Sequence, residues 1–257
     1  MGPRFLSDEE YENYWIDLGG VRGAIASDLA KERAVLLLDV ACGWGLYTFH
    51  LASHHPQCRA VAVDIIPSEF SNMRERRAET HTTDAIDPLI ADATKLPLRD
   101  RVFDLSTSFL GMRDIHMTQG MRGVEDANGE MLRTLRKRGR IALAVTPPDL
   151  SETEDQRIAI EVEGEVFGAR SLPSTFYLEL FQERGVELIR IKTYSTGFKM
   201  TAEQAKRELK DGLEIAEDIY AVDAPNFEQV WRRYGPSIER HGYGMYSKIT
   251  VFLGMKN

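Results

Sequence analysis

The chain has 257 residues, of which 43% are hydrophobic and 28% charged. That is the composition of one large globular domain or two small ones, and it excludes disordered, collagenous and coiled-coil classes. Lysine plus arginine total 32 against 40 aspartate plus glutamate, a net charge of −8, which argues against a free-standing, non-specific nucleic-acid binder.

Residues 7–33 read as helical in two pieces separated by Gly19-Gly20, with Ser7 and Glu10 forming a capping box. The apolar run 34–38, ending at Asp39, predicts a strand buried on both faces. A helix follows over 46–53, after Gly43 and Gly45. Residues 59–63 predict a second buried strand ending at Asp64, and 67–79 a helix with Pro67 near its start. A short strand over 88–91 ends at Asp92. Strands over 101–109 and 140–146 bracket a helix over 123–135. The second half predicts helices over 174–183, 202–220 and 227–241 and strands over 186–194 and 246–253. Strands alternating with helices at this pitch predict an α/β, Rossmann-like, doubly wound parallel sheet with right-handed crossovers. The expected organisation is a single domain: N-terminal helices over 1–33, a Rossmann-like core over 34–195, a helical cap insertion over 196–242 and a closing strand over 243–257.

The chemistry concentrates where three successive strands end. Asp39, Asp64 and Asp92 stand 25 and 28 residues apart, each interval one strand–helix unit. Ligands of open parallel sheets bind outside the carboxyl ends of the strands. After Asp39, Ala41 is small enough for a tight turn, and Gly43 and Gly45 let a ligand approach the backbone. The next helix start offers N–H groups to a carboxylate or phosphate. Asp39 is placed to hold the loop and attract an ammonium group. Asp64 suits both hydroxyls of a ribose, and Asp92 an adenine amino group. Ile65 and Ala93 beside those acids would sandwich the base. A nicotinamide fingerprint needs G-x-G-x-x-G, and counted from Gly43 the sixth position is Thr48, so that cofactor is disfavoured.

The segment Leu36-Leu37-Leu38-Asp39-Val40-Ala41-Cys42-Gly43-Trp44-Gly45 resembles the first motif of class I S-adenosylmethionine-dependent methyltransferases, with Ala41 in place of the usual first glycine. Asp64 matches the acid of their second motif. Ala91-Asp92-Ala93 with Leu96-Pro97-Leu98 is similar to the third. Phe103-Asp104-Leu105 and Thr107-Ser108-Phe109 are similar to the fourth, which opens onto the transferable methyl. Met131 to Leu135 before Gly139-Arg140 resembles the family's L-K-P-G-G helix end, with Pro and one Gly replaced by charged residues. Residues 108–114 are faintly similar to the branch that methylates small quinones. The resemblance covers about residues 34–146 and implies a seven-stranded sheet with the last strand antiparallel. It implies S-adenosyl-L-methionine as cofactor, held at Asp39, Ala41, Cys42, Gly43, Gly45, Asp64, Ile65, Asp92, Ala93 and Ser108. The activity it implies is methyl transfer to a small-molecule acceptor by in-line displacement. The alternatives are an RNA or protein methyltransferase, or a non-catalytic cofactor-binding partner or sensor.

Displacement at a sulfonium methyl needs alignment more than a dedicated acid or base, so no residue is assigned as catalytic. The loop expected after the fourth strand carries Arg113, Asp114 and His116; His116 titrates near neutrality but reads as an exposed loop histidine. Thr146-Pro147-Pro148-Asp149 reads as a chain stop after a strand. The cluster Arg133, Arg136, Lys137, Arg138 and Arg140 reads as a solvated helix end, where cations complement the dipole. Residues 149–165 carry seven acids against Arg157 and would repel a polyanion if they rim the pocket, which favours a small or cationic acceptor over nucleic acid. Tyr11, Tyr14, Trp15, Tyr220, Phe227, Trp231 and Tyr234 are candidates for a lid, with Tyr14 the first choice for a donor contact. His54, His55 and Cys58 lack the spacing of a metal site, and Cys42 and Cys58 form no disulfide framework. No signal peptide opens the chain, Leu6 spoils a myristoylation signal, and the run 34–38 is too short to span a bilayer. The expected location is cytoplasmic.

Overall fold

A computed structural model describes residues 2–32, 34–55, 57–71, 73, 85–218 and 225–257. The chain forms two compact units. One comprises Arg22–Val145, Thr175–Lys192 and Thr250–Asn257; the other comprises Met1–Val21, Thr146–Ser174 and Thr193–Ile249.

The first unit is built on a seven-stranded sheet. In chain order its strands are β2 (Leu36–Val40), β3 (Arg59–Asp64), β4 (Ile86–Ile90), β5 (Phe103–Phe109), β6 (Leu135–Val145), β7 (Val186–Ser195) and β9 (Lys248–Lys256), in spatial order β4-β3-β2-β5-β6-β9-β7. β2 through β6 pair in parallel, and β9 runs antiparallel to β6. The chain leaves β2 toward β3 and β4, then returns to the other side of β2 as β5. That reversal puts a switch-point crevice at the carboxyl end of β2. Leu37, Leu38, Val40, Ala60, Ala62, Val63, Leu105 and Leu143 are sealed from solvent, as expected of strands with helices on both faces.

The predicted elements hold with shifted ends. β2 starts two residues later than expected because the Val35 and Leu36 N–H groups donate to the Asp104 carboxylate at 3.0 and 2.9 Å, leaving Val35 exposed. β4 starts at Ile86 and carries Pro88 inside it, tolerated because β4 is an edge strand. Helix α4 (Leu46–His54) follows β2. Of the expected helix over 67–79, the stretch 72 and 74–79 lies outside the described residues.

Two expectations in this unit are corrected. The stretch after β5 is helix rather than loop: α5 spans Gly111–Thr134 with a break at Gly120, so Arg113, Asp114 and His116 sit on its first turns. The basic cluster is not a helix end. Only Arg133 lies on α5, while Arg136 to Arg140 open β6. Arg133 pairs with Asp100 (2.5 Å) and Glu130 (2.8 Å), Arg136 with Asp104 (2.8 Å) and Arg140 with Glu32 (2.9 Å).

In the second unit, β1 (Arg4–Phe5) pairs in parallel with β8 (Phe198–Lys199), a small sheet not anticipated from sequence. The Ser7 box forms as expected: its hydroxyl accepts from the Glu10 N–H at 3.2 Å and its N–H donates to the Glu10 carboxylate at 2.9 Å. Helices α1 (Asp8–Glu12) and α2 (Tyr14–Asp17) end in a 3₁₀ turn at Gly19-Gly20, before α3 (Val21–Leu29). The acid-rich stretch folds as α6 (Glu154–Val166), burying Ile158, Ala159, Val162 and Val166 along one stripe. α7 (Ser174–Glu183) belongs mostly to the sheet unit. α8 (Ala202–Asp218) and α9 (Phe227–His241) complete the second unit. Among the candidate lid aromatics, Tyr14 is buried edge-on to Trp15, and Trp15 packs edge-on against Tyr246. Tyr220 lies outside the described residues. No helix among the described residues is long and apolar enough to cross a membrane.

Candidate functional site: the carboxyl ends of β2, β3 and β4

The turn after β2 is shaped by four residues. Ala41 sits at φ 54°, Gly43 at φ 51° and Gly45 at φ 71°, all left-handed. Glycine takes that conformation freely, whereas alanine pays roughly 1–2 kcal/mol for it. Ala41 thus holds a left-handed position that glycine would take without that cost. Cys42, between them, donates its N–H to the Val63 carbonyl at 3.0 Å, tying the turn to β3. Burial in the first place, then Asp39 and Asp64, push its thiol well up. Gly45 is the N-cap of α4, and no side chain caps that helix start, which leaves its first N–H groups to a ligand or solvent.

Asp39 is fully buried between β3 and β5. Its Oδ2 accepts from the Thr48 hydroxyl at 2.6 Å, while Oδ1 has no hydrogen-bond partner among the described residues. Burial raises its carboxyl to about 7, against the opposing Thr48 bond and with a further push from Asp64. Asp39 ties the strand end to Thr48 across the turn, and Asp64 holds the turn's backbone. Asp64 Oδ2 accepts from the Gly43 N–H at 2.8 Å and Oδ1 from the Ile66 N–H at 3.0 Å. Each of those oxygens keeps a second lone pair for a ligand.

Asp92 follows β4, joined to β3 where the Ala91 N–H donates to the Asp64 carbonyl at 3.0 Å. Burial works against its charge, but the Thr94 N–H, the Thr94 hydroxyl and the Gln119 amide outweigh it and hold the carboxyl below its usual value. Ile65 is 57% exposed, as a free apolar face for a flat base requires, and Ala93 is 9% exposed. Ser108, near the end of β5, is fully buried, with an Oγ that has no partner among the described residues.

The structure therefore groups Asp39, Ala41, Cys42, Gly43, Gly45 and Asp64 through direct bonds and shared charge, with Asp92 one strand further. It adds residues the sequence reading missed. Thr48 is the hydroxyl partner of Asp39. Glu69 lies over the turn, 4.0 Å from where a Gly43 Cβ would stand; burial and then Asp64 raise its carboxyl. At Gly111 a Cβ would collide with the Ala41 side chain and stand 3.0 Å from Ser108 Oγ, so α5 approaches the turn only because that position is glycine. Among the described residues no group of three His, Cys, Asp or Glu side chains could hold a metal ion.

Residues 37–139 match the family model described as a methyltransferase domain. The ubiquinone/menaquinone biosynthesis C-methyltransferase UbiE of Dinoroseobacter shibae is 35% identical over 121 residues, covering 47% of this chain and 46% of that one. The demethylmenaquinone methyltransferase of Deinococcus radiodurans is 31% identical over 152 residues, 59% of each chain. The chain spans about half the length of the curated relatives it matches. Among solved structures, geranyl diphosphate methyltransferase in complex with S-adenosylmethionine superposes with a TM-score of 0.60 at 13% identity, covering 100% of this chain and 97% of that one. That likeness shows the fold. Residues 37–139 thus match a methyltransferase domain, and the three strand-end acids around a glycine turn, on a sheet of this order, are similar to those of class I S-adenosylmethionine-dependent methyltransferases.

Proposed function

We propose that the chain transfers a methyl group from S-adenosylmethionine to a small-molecule acceptor in the cytoplasm, with no nucleic acid as partner. The observation that carries the reading is the set of strand-end carboxylates with unfilled acceptor capacity around a left-handed turn. Asp39 Oδ1 and Ser108 Oγ are buried and unpartnered among the described residues, and buried polar atoms left that way are costly unless a ligand completes them. A nucleoside bearing an ammonium group fits this donor set. Asp64 takes the ribose hydroxyls on its remaining lone pairs, Asp92 the base amino group, Ile65 and Ala93 the base faces, and Asp39 the field of the ammonium. Ala41, Cys42, Gly43 and Gly45 supply the close backbone, and Ser108 lies beside the transferable end.

S-adenosylmethionine, when bound, supplies a methyl on a positively charged sulfur. The protein's part is to hold the acceptor in line and exclude water, which provides large effective molarities without a dedicated acid or base. Two of the relatives carry names from ubiquinone and menaquinone biosynthesis, and residues 108–114 are similar to that branch, so reduced quinones are the first acceptors to test. Nucleic acid is disfavoured by the net charge and by the pairing of Arg133, Arg136 and Arg140 with carboxylates. The test is transfer of label from methyl-labelled donor to a panel of reduced quinones, catechols and small amines, with RNA and protein as parallel acceptors. Label in a small organic product supports the proposal. Label only in RNA or protein, or donor binding with no transfer to any acceptor, overturns it.

A further inference from the structure

Asp92 is not a bare strand-end acid. Its Oδ1 accepts three hydrogen bonds: from the Thr94 N–H at 2.8 Å, the Thr94 hydroxyl at 2.8 Å and the Gln119 amide Nε2 at 3.2 Å. Among the described residues Oδ2 accepts none. The Thr94 hydroxyl also stands 3.3 Å from Gln119 Oε1, and its single proton serves one of these two acceptors at a time. The three residues form a closed knot that fills one oxygen of Asp92 and fixes the rotation of the other.

Gln119 reaches Asp92 from an unusual place, the last residue before the break in α5. Gly120 sits at φ 67° and ψ −166°, a region open in practice to glycine alone. A Cβ at Gly120 would meet nothing within 4 Å, so the requirement is backbone conformation rather than crowding. Three residues on, a Cβ at Gly123 would collide with the Gln119 Cβ. One glycine breaks the helix beneath Gln119 and the other leaves room for its stem.

We infer that Gln119, together with Thr94, is a positioning pair that sets base selectivity at Asp92. By saturating Oδ1 and fixing the carboxylate's rotation, the pair leaves Oδ2 as a pure acceptor aimed at an exocyclic amino group. A 6-amino purine donates to that oxygen. A 6-oxo purine sets acceptor against acceptor and is refused. Without Gln119 the carboxylate is freer to rotate, and Oδ2 no longer stands fixed toward the base. This inference rests on the proposed cofactor reading.

The test is calorimetric titration of the full chain and of Gln119→Leu and Thr94→Val with S-adenosylhomocysteine and S-inosylhomocysteine, alongside thermal melts. The parent should prefer the adenosyl compound by at least about tenfold, the size of one satisfied against one unpaired hydrogen bond. Each variant should narrow that preference by about fivefold, mainly by losing affinity for the adenosyl compound, with unchanged melting. A ratio equal to the parent's in both variants overturns the positioning role while leaving the cofactor reading intact. A uniform loss of affinity for both compounds also overturns it, since that marks a structural role. A parent that binds neither compound overturns the inference and the cofactor reading together.

Discussion

The two units carry similar numbers of carboxylates and spend them differently. In the second unit several acids of 149–165 are tied to neighbours. Asp149 accepts from the Ser174 N–H at 2.7 Å, Glu152 pairs with Lys248, Glu163 accepts from the Tyr243 hydroxyl at 3.1 Å, and Glu165 accepts from Tyr234 at 2.5 Å and pairs with Arg233 at 2.6 Å. At the strand ends of the sheet unit, Asp39, Asp64 and Asp92 pair with no cation among the described residues, only with backbone N–H groups, hydroxyls and one amide. Acids neutralised by neighbours hold a fold together. The strand-end acids, held by neutral donors, keep part of their acceptor capacity for a ligand. Position in the fold distinguishes the two sets, since composition does not.

Five substitutions sharpen or break that contrast. Asp64→Ala removes two loop bonds and both ribose acceptors, so affinity for S-adenosylhomocysteine should fall about 100-fold by calorimetry, at roughly 1.5 kcal/mol or more for each charged hydrogen bond lost. Gly111→Ala forces a methyl against Ala41 and should cost about 2 kcal/mol in denaturant unfolding, as overpacking does. Ala41→Gly, which removes the opposing methyl and the left-handed strain, should be mildly stabilising alone and should recover most of the Gly111→Ala loss in the double variant. Additive effects would place the two residues out of contact. Asp39→Asn tests the buried charge. Because burial raises the Asp39 carboxyl to about 7 from 3.8, its contribution to stability is full below about pH 4 and is lost as pH rises through 7. An ammonium ligand favours the ionised form, so binding should release a proton near neutrality and strengthen from pH 6 to 8. The variant should flatten both trends and weaken binding about tenfold at pH 8. Glu165→Gln in the second unit should cost about 1 kcal/mol or less, its pairs being partly exposed, and leave cofactor affinity within about twofold.

The sheet was legible because buried parallel strands announce themselves as short apolar runs closed by an acid, as at 36–39 and 59–64. The three acids and the glycine turn followed from the same punctuation. What stayed hidden lacked such signals. Helix α5 opens on Leu110 in a left-handed N-cap with no side-chain cap, so nothing in the sequence marks its start, although Met112 and Ile115 carry helical spacing. Helix α6 was masked by its acids, although Ile158, Val162 and Val166 repeat every four residues. The partners of the site acids, Thr48, Glu69 and Gln119, come from other elements and carry no motif, so only the folded chain brings them near.

The central claim is that a nucleoside lies across the ends of β2, β3 and β4, gripped by acids those strands present. A crystal structure of the chain grown with S-adenosylhomocysteine tests it most directly. The account predicts ribose hydroxyls within hydrogen-bond distance of the Asp64 carboxylate, the base amino group on Asp92 Oδ2 and a face of the base against Ile65. Density for the nucleoside elsewhere, with Asp64 and Asp92 contacting only their own loops, would contradict it.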